Sequence, residues 1–377
     1  MFAGFGAFYP YITLAYESRG LDFAQIGLTI SLGSGMGLLA APAWGALSDR
    51  FGGSPRVLLA SAAFAVAAVA ALAVAGDLVS IVAANVLLGI GFAGLSPIVD
   101  ARALETAGAR SAGYGPLRAW GSVGYVAASL GTGVLIEATS IEAMFPVIAA
   151  CLAITAGIGL GLRPAAIHHA ERPLHATARI FRSRTLSLFL LGAVLAWAAM
   201  AAVLAFIPLR FQELGAGSWV IGLAAALAAG IEVPVMLQFP RLARRIRGDR
   251  LLVAGALFLA LRSVLAAVAT DPAFLVMASG IGGVGYALFL VGGVTYVAER
   301  VPAHLAATAQ GIFQGLSISA SQVVAAAVSG VVAGALGIQG LFILAAAAGV
   351  GAVGIIALAA RPATPTRPAT TRPAATQ

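Results

Sequence analysis

Long apolar stretches alternate with short polar or charged gaps along almost the whole chain. Each stretch has about 20 residues, the length a helix needs to cross about 30 Å of hydrocarbon at about 1.5 Å per residue. The pattern therefore predicts an all-α membrane protein with about twelve transmembrane helices. They are expected near residues 1–16, 24–46, 57–75, 79–104, 113–136, 143–162, 186–210, 218–240, 251–269, 272–298, 305–332 and 339–360.

The longest polar gap divides these stretches into two groups of six. A weak internal repeat supports the division, because a charged turn and a helix rich in small residues at 105–121 recur at 299–315. Parallel repeats of this kind place a binding site between two halves. The Pro/Thr-rich C-terminus is expected to be disordered. The expected units are an N-terminal six-helix half, a cytoplasmic linker, a C-terminal six-helix half and a cytoplasmic tail, at 1–162, 163–185, 186–360 and 361–377.

Composition excludes a soluble domain. Charged residues make up only 10% of the chain and apolar residues 60%, with a mean hydropathy of +0.99, whereas soluble domains carry about 25% charged residues. The single cysteine, Cys151, excludes disulfides and thiolate metal clusters within the chain. We expect no metal and no cofactor. The N-terminus lacks a basic region, so no cleavable signal peptide is expected, and the absence of a Walker motif argues against ATP-driven transport.

The net charge of +8 is distributed asymmetrically. All 22 cationic residues are arginines, and if both termini are cytoplasmic, only Arg19 and Arg210 fall outside. Arg118 and Arg262 lie within predicted helices, and the remaining arginines are inside. This asymmetry follows the positive-inside rule. It predicts a multi-pass protein of the cell (inner) membrane whose partners are the lipid bilayer and a small molecule, not nucleic acid.

A loop between the second and third stretches carries the first motif. Residues 45–52, with Gly45, Asp49, Arg50 and Gly52, resemble the cytoplasmic loop signature of the major facilitator superfamily. Its glycines permit a tight turn, Asp49 can accept hydrogen bonds at a helix N-terminus and Arg50 can bridge to neighbouring acids. The resemblance implies a gating loop that closes the cytoplasmic side. The alternative is an ordinary short turn, which also favours glycine and charge.

Further segments resemble one branch of that superfamily, the proton symporters that include lactose permease and the phenylpropionate and nucleoside permeases. They are residues 8–11, 97–100, 114–125, 230–232 and 261–263. The resemblance covers essentially the whole chain and implies the major facilitator fold, alternating access and a monomer. One departure is clear: lactose permease has a histidine and a glutamate for binding and proton coupling on its tenth helix, where this chain has Gly282 and Gly285. That proton site is absent here.

Four charged residues lie inside predicted helices: Asp100, Arg118, Glu232 and Arg262. A charge at bilayer depth is costly, so such residues are usually paired or line a wet cavity. Counted from the flanking cytoplasmic arginines, Glu232 lies about 13 Å deep and Arg262 about 18 Å, so the two are expected to meet near the midplane. Asp100 and Arg118 are shallower. Static ion pairs between helices and pairs that face a substrate cavity both remain open.

The titratable side chains narrow the choice of a proton carrier. The four histidines all fall in cytoplasmic turns, and lysine is absent. Arginine does not deprotonate in proteins. Glu232 is therefore the first candidate for proton coupling, and Asp100 the second.

Side chains at helical spacing suggest further cavity-lining positions. Tyr9 lies on the first stretch, Tyr125 shares a face with Arg118 on the fifth, and Phe289 lies on the tenth. Gln310 and Gln314 form a polar stripe on the eleventh. Such residues also serve as hydrogen-bonding contacts between helices or as aromatic belts at the membrane interface.

These observations predict a secondary active transporter, not an enzyme. It would move a small polar or amphipathic organic solute by alternating access, with proton symport implied by the resemblance. An efflux antiporter of the same fold is the main alternative. A non-transporting membrane sensor or a membrane-embedded enzyme is a further one.

Overall fold

The computed structural model describes residues 1–51, 55–107, 114–161, 183–301 and 306–360, with the backbone alone at 49, 100–107, 114–119 and 306–308. All regular secondary structure in these ranges is helical. The helices are α1 (Phe2–Phe8), α2 (Ile12–Ser18), α3 (Phe23–Arg50), α4 (Pro55–Val74), α5 (Leu78–Ala107), α6 (Tyr114–Ala138), α7 (Met144–Leu160), α8 (Arg184–Glu213), α9 (Ser218–Arg245), α10 (Gly248–Val268), α11 (Pro272–Arg300), α12 (Ala306–Ile312) and α13 (Ser321–Ala359).

Many of these helices can cross a bilayer. Within the described ranges, nine helical segments are long and apolar enough to do so, with 309–359 treated as a single segment. The protein is therefore a multi-pass membrane protein. The linker at 163–185 lies almost entirely outside the described residues, as do the tail at 361–377, Gly52 and all four histidines.

The first predicted stretch is not one helix, contrary to expectation. It forms α1 and α2, which are separated at Tyr9–Tyr11. Pro10 explains the break, because proline has no N–H to donate within a helix and its ring clashes with the preceding turn. Within this break, the Tyr11 hydroxyl donates to the Ser129 carbonyl of α6 at 2.5 Å.

Irregular backbone also occurs within the eleventh stretch and between the eleventh and twelfth. A π-helix, Phe313–Ala320, joins α12 to α13, and it buries Phe313 and Ser317. π-Helical turns are rare and often lie at functional sites. Gly337 has φ +73° inside α13, a conformation that only glycine adopts without strain, so the helix is sharply bent there. This break falls in the predicted turn between residues 332 and 339.

Two sets of helices pack around a central space. In the first set α4 lies against α5 and α7, α3 against α5, and α1 against α6 and α7. In the second set α11 lies against α9 and α10, and α13 against α8 and α10. The most extensive contacts between the sets are those of α6 with α9 and of α3 with α13. The space between the sets is where a solute can bind.

The joining pairs approach most closely at one end. A Cβ on Gly27 of α3 would stand 2.8 Å from the Gly330 nitrogen of α13, and one on Gly133 of α6 would stand 2.7 Å from the Ser218 oxygen of α9. Only glycine allows helix backbones so close together. In the opposite parts of α3 and α9, the Cβ positions of Gly45 and Gly230 have no neighbouring atom within 4 Å. The two sets therefore converge at the end predicted to face outside.

Candidate functional site

A cavity of about 660 Å³ lies between the two sets of helices. Its walls come from α1, α2, α3, α5 and α6 on one side and from α8, α9, α10, α11 and α13 on the other. Its volume is within the range of about 300–1,000 Å³ that is typical of small-molecule sites. A position between two packed bundles is also a common location for such sites.

Four of the predicted site residues line this cavity: Tyr9, Tyr125, Glu232 and Arg262. They come from four different helical segments. The Glu232 carboxylate interacts electrostatically with the Arg262 guanidinium, and Tyr125 lies within electrostatic range of Glu232 and Tyr9. Residues that are far apart in the sequence are therefore brought to one site.

Arg262 is held deep in the second set of helices. It is only 5% exposed, and its Nε–H is buried without a hydrogen-bond partner. A Cβ on Gly282 of α11 would stand 2.8 Å from that Nε. Glycine at 282 is therefore what makes room for the arginine. Gly285 allows a second close approach, since its Cβ would stand 2.8 Å from the Leu259 nitrogen of α10.

Four aromatic rings form one patch of the opposite wall. They belong to Phe5 and Phe8 of α1, Tyr9 at the end of α1, and Phe92 of α5. The ring centroids lie 5.0 Å apart for Phe5–Phe92, 5.3 Å for Phe8–Phe92 and 5.2 Å for Phe8–Tyr9. These edge-on arrangements are the preferred geometry for aromatic pairs. Tyr9 is 53% exposed, because its ring borders the cavity.

Several lining residues were not predicted from the sequence. Trp197 of α8 is 1% exposed, its Nε1–H has no partner, and it packs edge-on against Tyr286 with the ring centroids 5.5 Å apart. Asn85 of α5 donates to the Thr29 carbonyl and accepts from the Tyr16 hydroxyl. Asn85 carried a usable signal, because a lone amide in an apolar membrane stretch is unusual. Trp197 carried none, since its whole stretch is apolar.

Three predicted lining residues are not among those that border the cavity. Phe289 is fully buried and packs against Trp197 at a ring distance of 5.8 Å, so it supports a lining residue from behind. The Gln310 amide donates to the Val294 carbonyl at 2.7 Å, a contact between α12 and α11. Gln314 is exposed in the π-helix, and its carbonyl accepts from the Ser319 hydroxyl. Helical spacing alone did not distinguish helix faces that pack against neighbouring helices from faces that line the cavity.

The remaining predicted site residues lie at the edge of what the structure describes. Asp100 falls within α5, Arg118 within α6 and Asp49 within α3, where only the backbone is described. Arg50 is the exposed last residue of α3, and Gly45 lies in the same helix. The gating role of residues 45–52 stays a prediction. In the described ranges, no group of three or more His, Cys, Asp or Glu side chains could hold a metal ion.

Comparison with known proteins shows which family the chain resembles. A profile of the MFS_1-like family matches residues 1–344. The chain is 28% identical over 325 residues to the maltose permease of Geobacillus stearothermophilus, with 84% of this chain and 81% of that protein covered.

Two solved structures share the fold. A crystal structure of the nucleoside transporter NupG superimposes with a TM-score of 0.82, at 18% identity, over 95% of this chain and 96% of that one. A mutant form of NupG gives a TM-score of 0.83, also at 18% identity, over 95% and 97%. Because the family profile spans most of the sequence, the chain belongs to the MFS_1-like family and is a major facilitator permease, a non-enzymatic membrane transporter of small molecules.

Proposed function

We propose that this permease is a proton-coupled symporter of a small polar or amphipathic organic solute, with the central cavity as its alternating-access site. The observation that carries the proposal is that Glu232 and Arg262 line the same cavity and interact electrostatically there. Ionisable side chains within a membrane protein interior commonly mark proton or substrate pathways. The names of the similar proteins, a maltose permease and a nucleoside transporter, support a hydroxylated organic solute.

Proton coupling needs a group whose proton affinity differs between two states of the transporter. The Glu232 carboxylate has this property if it alternates between pairing with Arg262 and carrying a proton in a desolvated site. Protonation removes the negative charge opposite Arg262, and the guanidinium can then donate to the solute. Loss of the proton restores the pair and expels the solute. Asp100 is the second candidate for this role.

The same proposal includes the number of transmembrane segments, their division into two halves and their orientation in the membrane. The described helices group into two sets that contact each other through α3 with α13 and α6 with α9. Twelve transmembrane segments in two six-helix halves, at 1–162 and 186–360, account for these contacts and for the arginine distribution. The proposed unit is a monomer in the cell (inner) membrane with both termini in the cytoplasm. Rocking of the halves about the cavity exposes it to each side in turn.

The test is transport by reconstituted protein under an imposed pH gradient. The probes are radiolabelled maltose, uridine and 3-phenylpropionate, and accumulation is compared with exchange at equal pH. Glu232→Gln mimics the protonated carboxylate without titrating, so we expect it to stop accumulation while exchange of preloaded solute continues. Glu213→Gln, which alters an exposed carboxylate paired with Arg210, is the matched control and should behave as wild type.

The possible outcomes separate the alternatives. Accumulation by Glu232→Gln in response to the pH gradient contradicts its assignment as the coupling group. Accumulation driven by the opposite gradient indicates an efflux antiporter. Transport by wild type without any dependence on pH contradicts proton coupling altogether.

A further inference from the structure

One tyrosine side chain lies where α6 and α9 cross, at the end where the two sets of helices converge. Tyr11 lies in the break between α1 and α2, and it is fully buried. Its hydroxyl donates to the Ser129 carbonyl of α6 at 2.5 Å, and its oxygen lies 3.5 Å from the Ser218 carbonyl oxygen of α9. A single hydroxyl therefore contacts one helix from each set.

Glycines on both helices make room for this hydroxyl. A Cβ on Gly133 of α6 would stand 2.5 Å from the Tyr11 oxygen, and a Cβ on Gly222 of α9 would overlap the same oxygen. The hydroxyl thus occupies the space that two small residues leave between the helix backbones. If α9 moves away from α6, the hydroxyl loses its contacts with Gly222 and Ser218.

The crossing also brings two acceptors close together. The Ser129 carbonyl oxygen lies against Gly222, and the Ser218 carbonyl oxygen lies against Gly133. A carbonyl that accepts within its own helix keeps a second lone pair for another donor. The Tyr11 hydroxyl supplies a donor at this position, and a hydrogen bond is stronger where water is excluded.

We infer that Tyr11 is a positioning residue for the outer closure of the permease: its hydroxyl holds α9 against α6 and favours the state in which the cavity is closed to the outside. The inference rests on the alternating access proposed above, but it depends neither on proton coupling nor on the identity of the solute. Because the adjacent Tyr9 and Pro10 line the cavity, one short segment contacts both the cavity and the closure.

The test compares cysteine labelling rates at two cavity positions in the purified full chain, in detergent and without ligand. Ile221 is buried in α9, three residues after Ser218, whereas Ala41 lines the cavity from the opposite part of α3. Ile221→Cys and Ala41→Cys, each in a Cys151→Ala background, are reacted with a fluorescent maleimide. The first reports opening at the converging end, and the second reports opening at the other end.

Tyr11→Phe keeps the ring and removes the hydroxyl. It should raise the labelling rate at 221 by about twofold to tenfold, the effect of one hydrogen bond on an equilibrium, without raising the rate at 41. A general loosening of the fold would raise both rates, so the comparison separates a shift of the closure from destabilisation. An unchanged rate at 221, or an equal rise at both positions, overturns the inference.

Tyr296→Phe is the matched control. Tyr296 is also buried, and its hydroxyl donates to the Ala359 carbonyl at 2.8 Å, but this bond joins α11 to α13 within the second set. Its loss should leave both labelling rates unchanged. A rise at 221 as large as that in Tyr11→Phe would contradict the inference, because a buried hydroxyl away from the crossing would then have the same effect. The unfolding temperature shows whether each variant is folded.

Gly133→Ala distinguishes the role of Tyr11 from alternating access itself. Its methyl group would stand 2.5 Å from the Tyr11 oxygen and 2.7 Å from the Ser218 oxygen, so it should push α9 away from α6. The rate at 221 should rise and the rate at 41 should fall. If this happens while Tyr11→Phe changes neither rate, only the role of Tyr11 is contradicted. If both variants raise the rate at 221 but Gly133→Ala does not lower the rate at 41, the role of Tyr11 is supported and alternating access is contradicted.

Discussion

Arg262 lies against Gly282, so close that a Cβ at position 282 would stand 2.8 Å from the guanidinium Nε. The arginine occupies space that a side chain at 282 would need. This contact gives a physical reason why a glycine at position 282 suits this chain. The glycine makes room for the arginine of the neighbouring helix at the cavity.

Gly282→Ala should displace Arg262 and weaken solute binding. Added bulk in a packed interior typically costs about 1–3 kcal/mol of folding stability. Gly230→Ala is the matched control, because nothing lies within 4 Å of its Cβ position, and it should leave stability unchanged or raise it by up to about 1 kcal/mol. Thermal unfolding in detergent measures both. If Gly282→Ala destabilises as much in an Arg262→Ala background as in wild type, the arginine is not the group displaced.

The Glu232–Arg262 pair should show strong coupling between the two residues. Glu232→Met leaves the buried Arg262 charge without the nearby carboxylate, and Arg262→Met leaves the partly buried Glu232 without the guanidinium, so each single variant should be destabilised. The double substitution leaves no unpaired charge, so it should be more stable than either single variant. Both single variants and the double variant should fail to accumulate solute. Full transport by a folded double variant would mean that the pair serves only structure.

Glu137 should help to close the end of the cavity at which the two sets of helices converge. Its carboxylate accepts from the backbone N–H of Trp219 at the start of α9, at 3.1 Å, and thereby joins α6 to α9. Glu137→Ala should favour opening at this end. The measurement is labelling of a cysteine at buried Ile221 by an impermeant reagent added from outside, in a Cys151→Ala background.

Glu213→Ala is the control variant for this labelling experiment. Glu213 forms an ion pair with Arg210 within its own helix, so its loss should not change labelling at 221. Equal labelling rates in wild type and Glu137→Ala would show that the contact does not hold the two helices together.

The orientation of the chain in the membrane can be tested with two cysteines. Ser18 is exposed at the end of α2, and Ile246, 39% exposed, follows α9. The arginine distribution predicts that Ser18→Cys reacts from outside and Ile246→Cys only from the cytoplasm. Impermeant maleimide labelling of intact and inverted vesicles, again without Cys151, distinguishes the two sides. Labelling of both positions from one side would contradict the proposed topology.

The proximity of Glu232 and Arg262 could be predicted from the sequence. Glu232 and Arg262 are counted from flanking arginines along helices of known rise, and adjacent antiparallel helices bring equal depths together. The structure places both residues in one cavity, where their charges interact. The position of a residue along its helix depends only on the number of residues before it, so it can be counted from the sequence without knowledge of how the helices pack.

The helix breaks were partly predictable. Pro10 lies in the first stretch and lacks an N–H, but a single proline is also compatible with a kinked continuous helix, so its consequence was not clear. The π-helix at Phe313–Ala320 had no recognisable signal in the sequence. Such local irregularities are set by packing around residues such as Phe313, which is fully buried against Phe189.

The sequence by itself determined the class of the protein. Apolar stretches of bilayer length and the one-sided arginines require a multi-pass helical membrane protein, because lipid solvates neither unpaired backbone groups nor charges. Only the tertiary structure decided which faces line the cavity. Trp197 and the rings near Tyr9 border it, whereas Phe289 and Gln310 support the packing. In a membrane both the lipid and the neighbouring helices are apolar, so hydrophobicity around a helix does not reveal its partner.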